Sequence, residues 1–261
     1  MSRFALSLLC LALTGAASAA TVTRPVEYSI GEQKFQSTLV YDDSVATPRP
    51  GLVLVPNWMG AGPAAVEKAK AIAGKDYVIL VADVYGAGVR PANADEAGAA
   101  AKAAYADRAG LRARAAKALD ELKAQAGKAP LDTSRLGAIG FCFGGATALE
   151  MARSGLPLAG VVSFHGNLST SMPAAKGAVK ASIVAINGAD DTYLPAEQIA
   201  GFQKEFTDAG ADWQFVNLSG AVHCFAEPDQ NSPPGCVYNE LAAKRAFRLM
   251  NDFFAERFAA K

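Results

Sequence analysis

Apolar positions along this chain follow two rhythms that take turns. Short continuous apolar runs lie at PGLVLVP (50–56), DYVILVADVYG (76–86), RLGAIGF (135–141), LAGVVSFHG (158–166), ASIVAINGADD (181–191) and WQFVNLSG (213–220). Such runs have the length of strands buried on both faces, as in a parallel sheet. Between them the apolar residues recur at three and four. GPAAVEKAKAIAG (62–74), GGATALEMARSG (144–155), PAEQIAGFQKEFTDAG (195–210) and NELAAKRAFRLMNDFFAERF (239–258) are predicted helices. The Ala-rich stretch 93–126 also reads as helix, with Leu111, Ala115, Leu119 and Leu122 on one face, Asn93 as its cap and Gly110 as a break into two. Near the start, EYSI and KFQSTLVYD predict a hairpin turning at Gly31. Strands alternating with helices imply a mostly parallel twisted sheet with helices on both faces. The segment between His165 and Ser182 is too short for a cap domain, and no linker divides residues 20–261, which read as one domain.

Composition adds little to that picture but excludes some functions. Of the 261 residues, 51% are hydrophobic and 19% charged, enough for a large core. The formal net charge is zero and no basic stripe stands out, which argues against nucleic acid as a partner. The N-terminus is distinct. Arg3, an apolar run from Phe4 to Leu13 and the small residues Ala17, Ser18 and Ala19 form the pattern of a secretory signal peptide over residues 1–19. The expected location is therefore exported, periplasmic or secreted, with no membrane attachment after signal removal. Export leaves Cys142, Cys224 and Cys236 in the mature chain. An oxidising compartment favours pairing, and three cysteines leave one over.

Sites in open parallel sheets gather at the carboxyl ends of the strands. NWMGAG follows the run 50–56, Cys142 follows 135–141, GADD follows 181–187 and AVHCF follows 213–220. These give a loop, a nucleophile, an acid and a histidine, in that order. Gly140-Phe141-Cys142-Phe143-Gly144 is a G-x-C-x-G elbow, in which small neighbours allow a tight turn and the following helix points its amides at the sulfur. A buried structural cysteine beside packing glycines is the competing explanation. No G-x-G-x-x-G and no G-K-[ST] supports a nucleotide site. The chain has two histidines. His223, last in the order, is the expected base, and His165 a pocket or supporting residue with a satisfied hydrogen bond. Asp191 is favoured over Asp190 as the acid, and Asp83 is expected to fix a loop.

The elbow GFCFGG, NGADDTYLP, HCFAEP and ADVYG together resemble the dienelactone hydrolase family of α/β hydrolases over nearly all of the mature chain. The resemblance implies an α/β-hydrolase fold, a Cys142–His223–Asp191 triad and an oxyanion hole from the amides of Trp58 and Phe143. Two departures stand out. The name-giving members carry a glutamate where Asn57 stands. They also bind a substrate carboxylate with arginines at positions matched here by Ala87, with Arg90 close by, and by Glu227, which has the opposite charge. A neutral ester or lactone is expected instead, held by Asn57, Tyr85, Arg90, His165 and Phe225.

The expected chemistry needs no metal and no cofactor. A free thiol titrates near about 8.5, and a neighbouring imidazole brings it lower, so cysteine is a ready nucleophile. Cys142 would form a thioester and His223 would direct water against it. A Cys224–Cys236 disulfide would leave Cys142 free, whereas a Cys142–Cys224 bond would silence it. Two further functions compete: a ligand-binding protein of the same fold with little or no turnover, and a thiol redox protein, weakened by the lack of C-x-x-C. The substrate and the oligomeric state, monomer or otherwise, stay open at this level.

Overall fold

The computed structural model describes residues 21–259, so the expected signal segment lies outside the described residues. Strands β1 (Thr21–Ile30) and β2 (Gln33–Asp42) form the antiparallel hairpin around Gly31, each longer than its sequence signal. The remaining long strands are β3 (Arg49–Val55), β4 (Val78–Val81), β5 (Leu131–Phe141), β6 (Gly160–Phe164), β7 (Ser182–Gly188) and β8 (Trp213–Leu218). They assemble with the hairpin into one eight-stranded sheet of order β1-β2-β4-β3-β5-β6-β7-β8. The β2–β4 pair is antiparallel, and every pair from β4 to β8 is parallel.

The pleat explains why the strand runs are apolar throughout. Val53 and Val55 of β3, Ala138 of β5, Val161 of β6 and Ile183 of β7 enter one core. Their neighbours Leu52, Leu54, Ile139, Val162 and Val184 enter the other. Helices α2 (Ala94–Ala106), α3 (Arg108–Lys123), α4 (Phe143–Arg153) and α5 (Ala196–Asp208) cover the first face. Helices α1 (Pro63–Ala73) and α6 (Glu240–Ala259) cover the second. At about 25 cal/mol per Å² of apolar surface, two such cores are the main stabilising contribution. Residues 165–181, between β6 and β7, run without helix or strand, and no helix of the described residues is long and apolar enough to cross a membrane.

Two expectations about elements change. The strand predicted over 76–86 ends at Val81, because Asp83 beyond it collects the amides of Gln36, Tyr85 and Gly86 in place of a ladder. Asp83 thus fixes a loop, as expected. The Ala-rich helix breaks at Asp107, not at Gly110. The Asp107 carboxylate accepts from the Gly110 amide and caps α3, while Asn93 caps α2 through the Glu96 amide. A small hairpin of β9 (Asn231–Ser232) and β10 (Cys236–Val237) has no counterpart in the sequence pattern.

Candidate active site

Cys142 stands between β5 and α4 with φ 53° and ψ −116°, a left-handed region that non-glycine residues rarely adopt. Its amide donates to the Phe164 carbonyl at 3.0 Å. The flanking glycines are required by close approach. A Cβ at Gly140 would lie 2.0 Å from the Gly144 carbonyl oxygen, and one at Gly144 would lie 2.0 Å from that of Val55. The second contact seats the head of α4 against the end of β3, where the Asn57–Gly60 loop begins. Phe143 is the first residue of α4, so its amide is one of the unpaired donors of a helix N-terminus. In the loop after β3 the Asn57 side chain and carbonyl take the amides of Met59 and Gly60, which leaves the Trp58 amide outside that turn.

Asp191 follows β7 and is buried. Its Oδ1 accepts from the Tyr193 amide at 2.8 Å, and its Oδ2 accepts from His223 Nδ1 at 2.7 Å. Asp190 beside it is exposed. His223 follows β8, and its side chain is hydrogen-bonded to Cys142 as well. Burial alone would lower the imidazole pKa, but the bonds to Asp191 and Cys142 and their charges outweigh it, and His223 is pushed up to about 10. His223 is therefore a cation held between Asp191 and Cys142.

The three side chains share a cavity of about 510 Å³, walled by Trp58, Tyr105, Phe143, Tyr193 and Leu194 among others. No Lys or Arg lines it, and its one carboxylate, Asp191, is occupied by His223. Among the described residues no cluster of three or more His, Cys, Asp and Glu is placed to hold a metal.

The expected substrate residues divide. His165 lines the cavity, with its ring 4.8 Å from that of His223, but both ring nitrogens are buried without a hydrogen-bond partner among the described residues. The satisfied bond expected of it is absent. Burial, then the charges of His223 and Lys68, hold its pKa well below the usual value, so it is neutral. Asn57 does not line the cavity of Cys142. Its Nδ2 donates to Glu227 Oε2 at 2.7 Å, and it faces an adjacent cavity of about 370 Å³. Tyr85 is buried, with its ring 5.2 Å from that of Phe143 and its hydroxyl donating to the Trp58 carbonyl at 3.1 Å. It supports the loop and does not face the cavity. Arg90 is consumed by the Asp83 carboxylate at 3.1 Å and by the carbonyls of Gly86, Val89 and Gln36. Phe225 is fully buried against the His165 ring.

Sequence reasoning missed Tyr105, Gln230 and Ser232 as wall residues, and missed the buried ion pair of Lys68 with Glu227 behind Asn57. Their separations along the chain left no local signal; Tyr193 did sit within the quoted NGADDTYLP. The structure joins Cys224 to Cys236, and Cys142 is the free cysteine among the described residues.

The mostly parallel eight-stranded sheet with helices on both faces is the α/β-hydrolase fold, and Cys142, Asp191 and His223 meet at the carboxyl ends of its strands. The sequence profile of the dienelactone hydrolase family matches residues 35–258, and the chain belongs to that family. It is accordingly a hydrolase acting on ester bonds. Among solved structures it is similar to a dienelactone hydrolase-like promiscuous phosphotriesterase from metagenomic libraries, at 36% identity and a TM-score of 0.84, over 92% of this chain and 100% of that one. It is also similar to a protein called m3DLH, at 34% identity and a TM-score of 0.85, over 92% and 99% of the two chains. A putative carboxymethylenebutenolidase of Salmonella typhimurium is 28% identical over 53% of this chain and 52% of its own length, so that match spans about half of the relative.

Proposed function

We propose that this protein is a cysteine hydrolase of neutral esters or lactones that works through a thioester. The observation that carries the proposal is a thiol lifted on a strained elbow at a helix N-terminus and bonded to an imidazole that a buried carboxylate holds. Cys142 Sγ attacks the carbonyl carbon, and the carbonyl π pair moves to oxygen. The amides of Trp58 and Phe143 stabilise that oxyanion. The carbon–oxygen ester bond then breaks, and the leaving alkoxide takes the proton of His223. A water attacks the thioester while His223 takes one of its protons. The carbon–sulfur bond breaks, releasing the acid and restoring the thiolate. Asp191 orients His223 and stabilises its charged form throughout.

A cavity wall without Lys or Arg favours neutral substrates over carboxylate-bearing lactones. The likeness to a protein described as a promiscuous phosphotriesterase makes neutral phosphotriesters a second class to assay. The test is hydrolysis of a short-chain p-nitrophenyl ester by wild type, Cys142→Ala and His223→Ala. The proposal expects turnover in wild type and loss of at least 10³-fold, as an order of magnitude, in both variants with circular dichroism unchanged. Full activity in Cys142→Ala would sink it. We also propose that the mature chain is exported, on the strength of the N-terminal pattern and the paired cysteines. Cell fractionation and N-terminal sequencing check this, with a start near Ala20 expected.

A further inference from the structure

Residues 224–237 form a loop closed on itself beside the catalytic histidine. Cys224, at φ 63°, directly follows His223 and is joined to Cys236, with their Cα atoms 4.9 Å apart. The Val237 amide donates to the His223 carbonyl at 3.0 Å, and the Asn239 amide to that of Phe225 at 3.1 Å, so both ends of the loop are pinned at one place. Within it, Ser232 pairs with Cys236 and Asn231 with Val237. The loop's Gln230, Ser232 and Cys236 then line the cavity that holds Cys142. Gln230 also lines the adjacent cavity that Asn57 faces, so it stands between the two. The turn of the loop rests on Tyr193. A Cβ at Gly235 would lie 2.7 Å from the Tyr193 hydroxyl oxygen, and the Tyr193 ring stands edge-on to His223 with centroids 5.2 Å apart.

We propose that this disulfide-closed loop is the specificity-determining wall of the site. Gln230 and Ser232 limit the size of the neutral group admitted beside Cys142, and the Cys224–Cys236 bond keeps them there by tying the wall to the residue next to His223. The other walls come from α2 and its N-cap side, the elbow and head of α4, and the loops that follow β3, β6, β7 and β8. This wall alone is a pair of two-residue strands closed by a disulfide, with its turn resting on the Tyr193 ring. The proposal deepens the hydrolase reading and takes its meaning for substrates from it, but its test does not require turnover.

The test measures alkylation of Cys142, read from the mass of its peptide, by iodoacetamide as a small probe and N-(1-pyrenyl)maleimide as a bulky one. The ratio of bulky to small rates is compared with that of wild type. Cys224→Ala/Cys236→Ala releases the wall and is expected to raise the ratio at least tenfold. Ser232→Trp, with the disulfide intact, adds bulk to the wall and is expected to lower it at least tenfold. Taking the ratio cancels any change in the reactivity of the thiol itself. If the double variant does not fold, Ser232→Trp decides alone. Ratios within twofold of wild type would overturn the proposal. A shifted ratio in a protein that hydrolyses no ester would leave the wall standing and remove the hydrolase reading, whereas active protein with an unmoved ratio would do the reverse.

Discussion

Asp191 makes His223 a cation, and the cost of losing it can be stated with its sign. An imidazole in the unfolded chain titrates near about 6.5. In the folded protein the bonds to Asp191 and Cys142 hold the His223 proton up to about pH 10. Below about pH 6.5 both states are protonated, and the stabilisation from this group is fully present. Between there and about pH 10 the unfolded state has lost the proton that the folded state keeps, so stability falls as pH rises. Asp191→Asn removes the carboxylate whose hydrogen bond does most to raise the pKa. Urea unfolding at pH 6 and pH 9.5 is expected to show a smaller difference in the variant than in wild type, and ester hydrolysis is expected to fall on the order of 10³-fold or more. At this scale the sequence was informative about which residues come together, because a thiol, a carboxylate and a histidine that follow strands β5, β7 and β8 are few and ordered. It was not informative about their neighbours. Arg90 and Tyr85 sit in the right stretch of chain, but their side chains are taken by Asp83, Gln36 and Trp58, and those pairings depend on packing between distant segments.

The elements show where pattern suffices and where it fails. Buried parallel strands announce themselves as apolar runs, and β3, β5, β6 and β7 lie where those runs are, while β8 follows its run as a half-exposed edge strand. Boundaries depend instead on which side chain captures the next free amide. Asp83 does so after β4 and Asp107 does so between α2 and α3, so the observed breaks fall at carboxylates and not at the glycine that composition suggested. The β9–β10 pair is two residues on each side and has no periodicity to detect. The elbow is the element most exposed to a small change. A methyl at Gly144 meets the backbone oxygens of Val55 and Pro56, neither of which belongs to a flexible side chain. Gly144→Ala is expected to destabilise by about 3 kcal/mol, in line with overpacking of a tight site. It should also lower hydrolysis beyond what the unfolded fraction explains, since the shift moves Trp58 relative to Phe143. Denaturant unfolding alongside specific activity per folded molecule checks both halves.

Across the whole molecule, two long-range links hold the site to its frame. Lys68 on α1 and Glu227 in the disulfide-closed loop form a buried ion pair, with Asn57 as a third member, and so join three segments that sequence pattern treats as unrelated. The second link is the disulfide, which closes a separation of 12 residues. In the chain-entropy treatment, removing it costs about 3 kcal/mol. For a chain of this size, that lowers the Tm by roughly 6–12 °C. Scanning calorimetry of Cys224→Ala/Cys236→Ala against wild type checks this, and a Tm within 2 °C, taken as roughly the resolution of the comparison, would show that the loop is held by other contacts.

The same pairing has a practical side. With Cys224 and Cys236 committed to each other, the described part of the molecule carries a single thiol handle, and that handle is Cys142. On the proposed mechanism, coupling the protein to a maleimide or thiol-exchange support would attach it by its nucleophile and yield a catalyst that is fully loaded and inert. Attachment through surface amines such as Lys204 or Lys244, both on exposed helix faces, would leave the handle free.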